Sequence, residues 1–73
     1  MTYVEFAINA VQYFADNSKE QRFGQAVYNY LHAVRPDIAD RICDTPLDPF
    51  HQTFVADEVW AEIRRLWEEA NVP

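Results

Sequence analysis

Between Phe23 and Val34 the apolar side chains Phe23, Ala26, Val27, Tyr30, Leu31 and Val34 recur at alternating spacings of three and one. This run enters two proline-bounded acidic connectors, RPD and TPLDPF, with no flexible linker between them. The spacing predicts a helix from about Gln21 to Val34 with one face against a core. Arg35 precedes Pro36 and is pushed out of the helical region, whereas Pro36 suits the first position of a new helix. A short helix from Pro36 to about Cys43 is therefore expected, with Ile38, Ala39 and Ile42 inward. Gly24 is the only glycine in the chain. In an exposed helix interior it costs about 1 kcal/mol relative to Ala, so close approach of another backbone is the physical reason to expect it there. In Asp44-Thr45-Pro46-Leu47-Asp48-Pro49-Phe50, two prolines three apart remove donors and restrict their predecessors. A stiff, extended loop anchored by Leu47 and Phe50 is the expectation.

Thr2 and Glu5 have the spacing of a capping box that starts a first helix. Its apolar residues (Val4, Phe6, Ile8, Val11 and Phe14 among them) are so dense that the helix is either central or turns a second apolar face to a partner. Asp16, Asn17 and Ser18 end it. Asp57 and Glu58 mark another helix start, and Val59, Ile63, Leu66 and Ala70 give a stripe over about Ala56–Ala70. The expected fold is all-α: one domain over residues 1–73, a compact bundle of about four helices, three longer and one short, with a Pro-rich stiff loop.

A chain of 73 residues buries only about 60% of its unfolded surface. A core this small supplies roughly 3–5 kcal/mol, so association with a partner or a second copy becomes a sizeable stabilising term. The 49% apolar and 15% aromatic content excludes a disordered chain. Cys43 is the only cysteine, so no intrachain disulfide can form, which fits a reducing compartment such as the cytoplasm. No stretch approaches the roughly 20 apolar residues that span a bilayer, and the N-terminus lacks a basic cluster, so neither a membrane span nor a signal peptide is expected.

Charge is segregated. From Asp37 to Glu62 seven carboxylates face one base, Arg41, so the whole net charge of −6 lies there; the remaining residues hold five acids and five bases. Such a surface repels nucleic acid, and Lys19, Arg22 and Arg35 are too few to offset it. The favoured target is a basic protein surface, or a protein site that normally holds nucleic acid.

Chemistry-bearing patterns are weak. His32, Cys43 and His51 are the soft metal-ligand candidates, spread over a helix, a helix end and a loop, whereas structural zinc wants four ligands in close pairs. Cys43 with a histidine lacks the orienting group and glycine-rich oxyanion loop of a nucleophilic site. Asp37 with Asp40, or Asp44 with Asp48, resembles a carboxylate pair, but acids gather at helix starts and turns for local hydrogen-bonding reasons. No cofactor, metal or catalytic residue is expected. Trp60 and Trp67 stand seven apart with Arg64 between them. They are either core residues or, since Trp and Arg dominate interface hot spots, an exposed anchoring ridge.

The stretch Arg22–Phe50 resembles a family of small uncharacterised proteins of tailed phages and prophages. The matching positions are Gly24-Gln25-Ala26, Asn29, Leu31, Arg35-Pro36-Asp37, Ala39, Ile42, Thr45 and Leu47-Asp48-Pro49-Phe50. The chain departs from the pattern at His51-Gln52. The resemblance implies a phage context, with the host cytoplasm as the place of action, and implies no activity. Together these readings give a small acidic phage-type accessory protein that binds and modulates a host or phage protein without catalysis. Asp40, Asp44 and Asp48 are the expected steering charges and Trp60, Arg64 and Trp67 the expected anchors. Alternatives are a nucleic-acid-mimicking competitive inhibitor and a self-associating structural protein, a homodimer through the first helix.

Overall fold

The computed structural model describes residues 1–70; the last three of the expected 1–73 domain lie outside it. Four helices follow one another: α1 (Tyr3–Asn17), α2 (Phe23–Val34), α3 (Pro36–Ile42) and α4 (Asp57–Ala70). The all-α bundle of three longer helices and one short one is the observed architecture. α1 packs mainly on α2, α2 also carries α3, and α4 touches both α1 and α3.

The capping box at the start of α1 is formed. Thr2 Oγ1 accepts from Glu5 N–H at 3.1 Å, and Glu5 Oε1 accepts from Thr2 N–H at 2.8 Å. The helix runs to Asn17, whose side-chain amide donates back to the Tyr13 carbonyl at 2.8 Å. α1 buries only Phe6 and Ala10 and leaves Val4, Ile8 and Val11 in solvent. The second apolar face expected of this helix is present as an exposed stripe.

Phe6 is the centre of the core. Its ring lies 5.2 Å from that of Trp67, 5.9 Å from Tyr30 and 6.4 Å from Trp60, distances at which aromatic pairs attract beyond simple area burial. Val27 and Leu31 from α2, Ile38 and Ile42 from α3, and Val59, Ile63 and Leu66 from α4 close around it. Among the described residues no polar or charged residue is buried. The core is thus held mainly by apolar contact.

The RPD connector does more than end a helix. Arg35 takes φ −143° and ψ 71°, outside the helical region as the following proline requires, and Pro36 opens α3. The Arg35 guanidinium grips Asp37 through two bonds of 3.0 and 2.9 Å and lies over the Trp67 ring at 4.9 Å. Trp67 Nε1–H donates to the Met1 carbonyl at 3.3 Å. One tryptophan thereby joins the N-terminus, the α2–α3 joint and α4.

The proline loop departs from expectation. It is a succession of turns rather than an extended strap: Thr45 N–H donates to Ile42 O, Asp48 N–H to Thr45 O and Gln52 N–H to Pro49 O, at 3.1, 3.0 and 2.8 Å. The side chains of Thr45 and Asp48 supply further acceptors, which fold the segment locally. Pro49 is its buried residue, whereas Leu47 and Phe50 are half-buried. Pro49 goes deepest because the turn it begins is pressed against Gly24. Gly24 N–H, one of the donors that the start of α2 leaves unpaired, donates to Gln52 O at 3.0 Å. A Cβ on Gly24 would run into the Pro49 carbonyl oxygen and come within 2.6 Å of Gln52 O.

Because both obstacles are backbone atoms, Gly24→Ala is expected to lose about 1–3 kcal/mol despite alanine's better helix propensity. Urea unfolding showing equal or greater stability would mean that the loop is not clamped to α2. Acid should also weaken the fold. Thr2 backbone and side-chain bonds hold the Glu5 carboxyl below its ordinary range, and Arg35 and Arg65 do the same for Asp37 and Glu62. A folded-state pKa below the unfolded one means stability that is present above the unfolded value and lost as pH falls through the folded one. The thermal midpoint is expected to drop between about pH 5 and about pH 3. The triple variant E5Q/D37N/E62Q should flatten that drop; an undiminished slope would show that these contacts do not set it.

Candidate functional site: an acidic and aromatic face at the end of α3

α3 ends at Ile42, and the chain reverses through Asp44, which takes φ 59°. That left-handed conformation is costly for most side chains and least so, after glycine, for Asn and Asp. The reversal brings two of the expected steering residues, Asp44 and Asp48, together. Cys43 Sγ and carboxylate oxygens of Asp44 and Asp48 all lie within 4.8 Å of one another, and the charges of Asp48 and Asp40 both act on the Tyr28 hydroxyl from α2. Three acids separated by four-residue steps thus share one surface with a tyrosine and a cysteine.

The three carboxylates have different duties. Asp48 is half-buried, and its two oxygens accept from Asp44 N–H at 2.8 Å and Phe50 N–H at 2.9 Å. It is therefore the clasp of the turn as well as a charge. Asp40 and Asp44 are exposed and leave their charge to solvent or to a partner.

Aromatic rings border these acids, and sequence reasoning missed their part in the face. Tyr28 meets Phe50 edge to face at 5.6 Å and stacks with His32 at 6.3 Å, while Phe50 meets His51 at 5.0 Å. Tyr28 reads in sequence as a residue beside the α2 stripe; only the docking of the loop places Phe50 and Asp48 against it. The Cys43 side chain beside the phenol, its partial burial and the nearby carboxylates push the Tyr28 pKa up to about 12. The phenol accordingly keeps its proton and stays a donor at any physiological pH.

As a metal site the Cys43, Asp44, Asp48 group has one soft and two hard donors. Both Asp48 oxygens are already engaged by backbone N–H groups. Four-coordinate structural zinc asks for more than this set provides. What the face does offer is recognition of cations: carboxylates for ion pairs and ring faces for cation–π contact.

The second expected group is taken apart by the fold. Trp67 is 2% exposed and sits on Phe6, so it is not a surface anchor. Standing four residues after Ile63, it falls on the inner stripe of α4, between Phe6 and the Arg35 guanidinium. Trp60 is half-buried against Phe6 and Phe23. Arg64 is exposed, pairs with Glu68 at 2.7 Å and lies 5.8 Å from the Tyr3 ring centre. Trp60 and Arg64 border Tyr3 at the α1–α4 contact; the carboxylates belong to α3 and its loop.

Replacing the clasp should cost more than replacing the exposed acid beside it. Asp48→Ala removes two charge-assisted bonds and is expected to lose about 1–3 kcal/mol in urea unfolding. Asp44→Asn keeps a side chain that tolerates φ 59° and should stay within about 0.5 kcal/mol of the parent. Equal stabilities would mean that Asp48 does not hold the turn.

No protein-family model, curated protein or solved structure matches the chain.

Proposed function

We propose that this chain is a small acidic accessory protein of the phage type that its Arg22–Phe50 block resembles. It binds a basic surface on a host or phage protein in the host cytoplasm and inhibits that protein by occupancy, without chemistry of its own. The observation that carries the reading is that Asp44 and Asp48 lie together beside Cys43 while Asp48 and Asp40 both act on Tyr28. Scattered surface acids would give a diffuse field. Here they converge beside the rings of Tyr28 and Phe50, a combination suited to arginine and lysine side chains, whose charge meets carboxylates while their planes or stems cover aromatic faces. The net charge of −6 speeds encounter with a positive partner, and the clustered acids fix the docked orientation. Among the described residues no helix is long and apolar enough to cross a membrane.

The reading is tested by capture from bacterial lysate with the parent and the D40N/D44N variant side by side, leaving Asp48 to hold the turn. A partner with a basic interface should be retained by the parent, lost by the variant with about tenfold weaker affinity, and released by moderate salt. Equal retention of every captured protein by the two forms would sink the acidic-face reading. Affinity unchanged between low and moderate salt would remove nucleic-acid mimicry as its mode.

A further inference from the structure

The chain has two histidines, His32 and His51, and both stand at the rings that border the carboxylates. His32, in the last turn of α2, stacks with Tyr28 at 6.3 Å. His51 lies edge to face with Phe50 at 5.0 Å, and Phe50 meets Tyr28 at 5.6 Å. The rings therefore run His32, Tyr28, Phe50, His51, with an imidazole at either end. Both histidines are exposed, so the core does not require them.

We infer that His32 and His51 make the acidic face pH-sensitive: once protonated, they turn away the basic partner that its carboxylates attract. The inference rests on the acidic-face reading proposed above and adds its regulation. Imidazole is the side chain whose charge ordinarily changes between about pH 5 and about pH 8, a range over which carboxylates are ionised and phenols protonated. The remaining groups at the face are Asp40 of α3 and Asp48 and Cys43 of the loop, which act on the Tyr28 hydroxyl, and Asp44 beside Asp48. Arg35 and Arg41, bases of the adjoining segments, are each held by an acid, Asp37 at 2.9 Å and Glu69 at 3.6 Å. α1 meets α2 through Tyr30, which is two residues, or about 200° of turn, from both Tyr28 and His32. α1 thus adjoins a different side of α2, and with it Glu5 and Asp16.

Two imidazolium charges would cancel two of the three carboxylate charges of Asp40, Asp44 and Asp48. Charges one or two rings apart lie within roughly the 8 Å over which physiological salt screens them, so a cation docked at this face feels both signs. Linkage makes the effect reciprocal: a bound basic partner holds protons off the two imidazoles to the same extent that protonation weakens its binding.

Calorimetric titration of the whole chain with an octa-arginine peptide at about pH 7.5 and about pH 5.5, at constant ionic strength, tests this. The parent should bind about fivefold more weakly at the lower pH. H32Q/H51Q should bind equally at both, and H32K/H51K should bind at the higher pH as weakly as the parent does at the lower one, each with an unchanged helical circular-dichroism signal. A loss of the same size in the parent and in H32Q/H51Q overturns the proposal, and so does parent-like binding by H32K/H51K at the higher pH. D40N/D44N separates the two readings. If it binds the peptide as the parent does at the higher pH, the acidic-face reading fails and this one with it; if it binds about tenfold more weakly while the parent shows no pH dependence, only the histidine switch fails.

Discussion

The contact that organises the molecule is the approach of one backbone to another at Gly24. The start of α2 is a set of unpaired N–H groups, and a helix end placed against protein needs an acceptor for them. The Pro49–Gln52 turn brings the Gln52 carbonyl to 3.0 Å from Gly24 N, a separation open only where α2 has no side chain. Removing the Cβ weakens α2 slightly as a helix. In exchange the long α3–α4 connection is fixed at a definite height on α2, and α4 starts from a fixed point. Pro49 contributes rigidity to the turn and burial beneath it, and Asp48 next to it ties the turn to Asp44 and Phe50. The fold and the acidic face therefore share a hinge point: what docks the loop also gathers the acids.

Electrostatics divide the chain in a way that the core does not. Every helix contributes to one apolar cluster around Phe6, yet residues 1–36 are neutral and residues 37–62 carry the net charge. Self-repulsion among Asp40, Asp44 and Asp48 opposes folding of the segment that carries them. Part of it is offset because Asp48 accepts two backbone bonds, since hydrogen bonds to an ionised acceptor are stronger than neutral ones. On α4 the charges are arranged differently. Arg65 lies between Glu62 and Glu69 at 2.7 and 2.8 Å, and Arg64 pairs with Glu68, an exposed ladder that adds only tenths of a kcal/mol per pair but offsets part of the acidic charge of that helix. Asp40, Asp44 and Asp48 at the end of α3 have no such ion pair among the described residues.

How much of this was legible follows from the range of the forces involved. The helix starts and stops were readable to within two or three residues, because capping by Thr2 and Glu5, the break at Arg35-Pro36 and the α2 stripe are local effects. Gly24 was readable as a close approach, since a lone glycine within a strong stripe has few other physical explanations. Its partner was not, because nothing in the sequence pairs residue 24 with residues 49 and 52. The loop was misjudged for a related reason: two prolines fix φ and remove donors, but whether the residues between them run straight or coil depends on Thr45 and Asp48 finding backbone donors. Trp60 and Trp67 could not be separated by spacing, since seven residues return to the same face. The decision came from Arg35 and Met1, residues remote in sequence that cover one ring and not the other. The acidic trio was legible as charge; that the reversal at Asp44 sets Asp48 beside Tyr28, near Asp40 of α3, was not.

The smallness of the core links these observations. Apolar surface that a larger domain would bury is in excess here, and α1 shows it most plainly, with one side in the Phe6 cluster and the opposite side in water. Turning that outer side inward would displace Phe6 from Trp67 and Tyr30, since a helix cannot bury two opposite stripes against one layer of neighbours. Polar substitution of Val4, Ile8 and Val11 would leave every core contact in place, so their apolar character is not a demand of the monomer's packing.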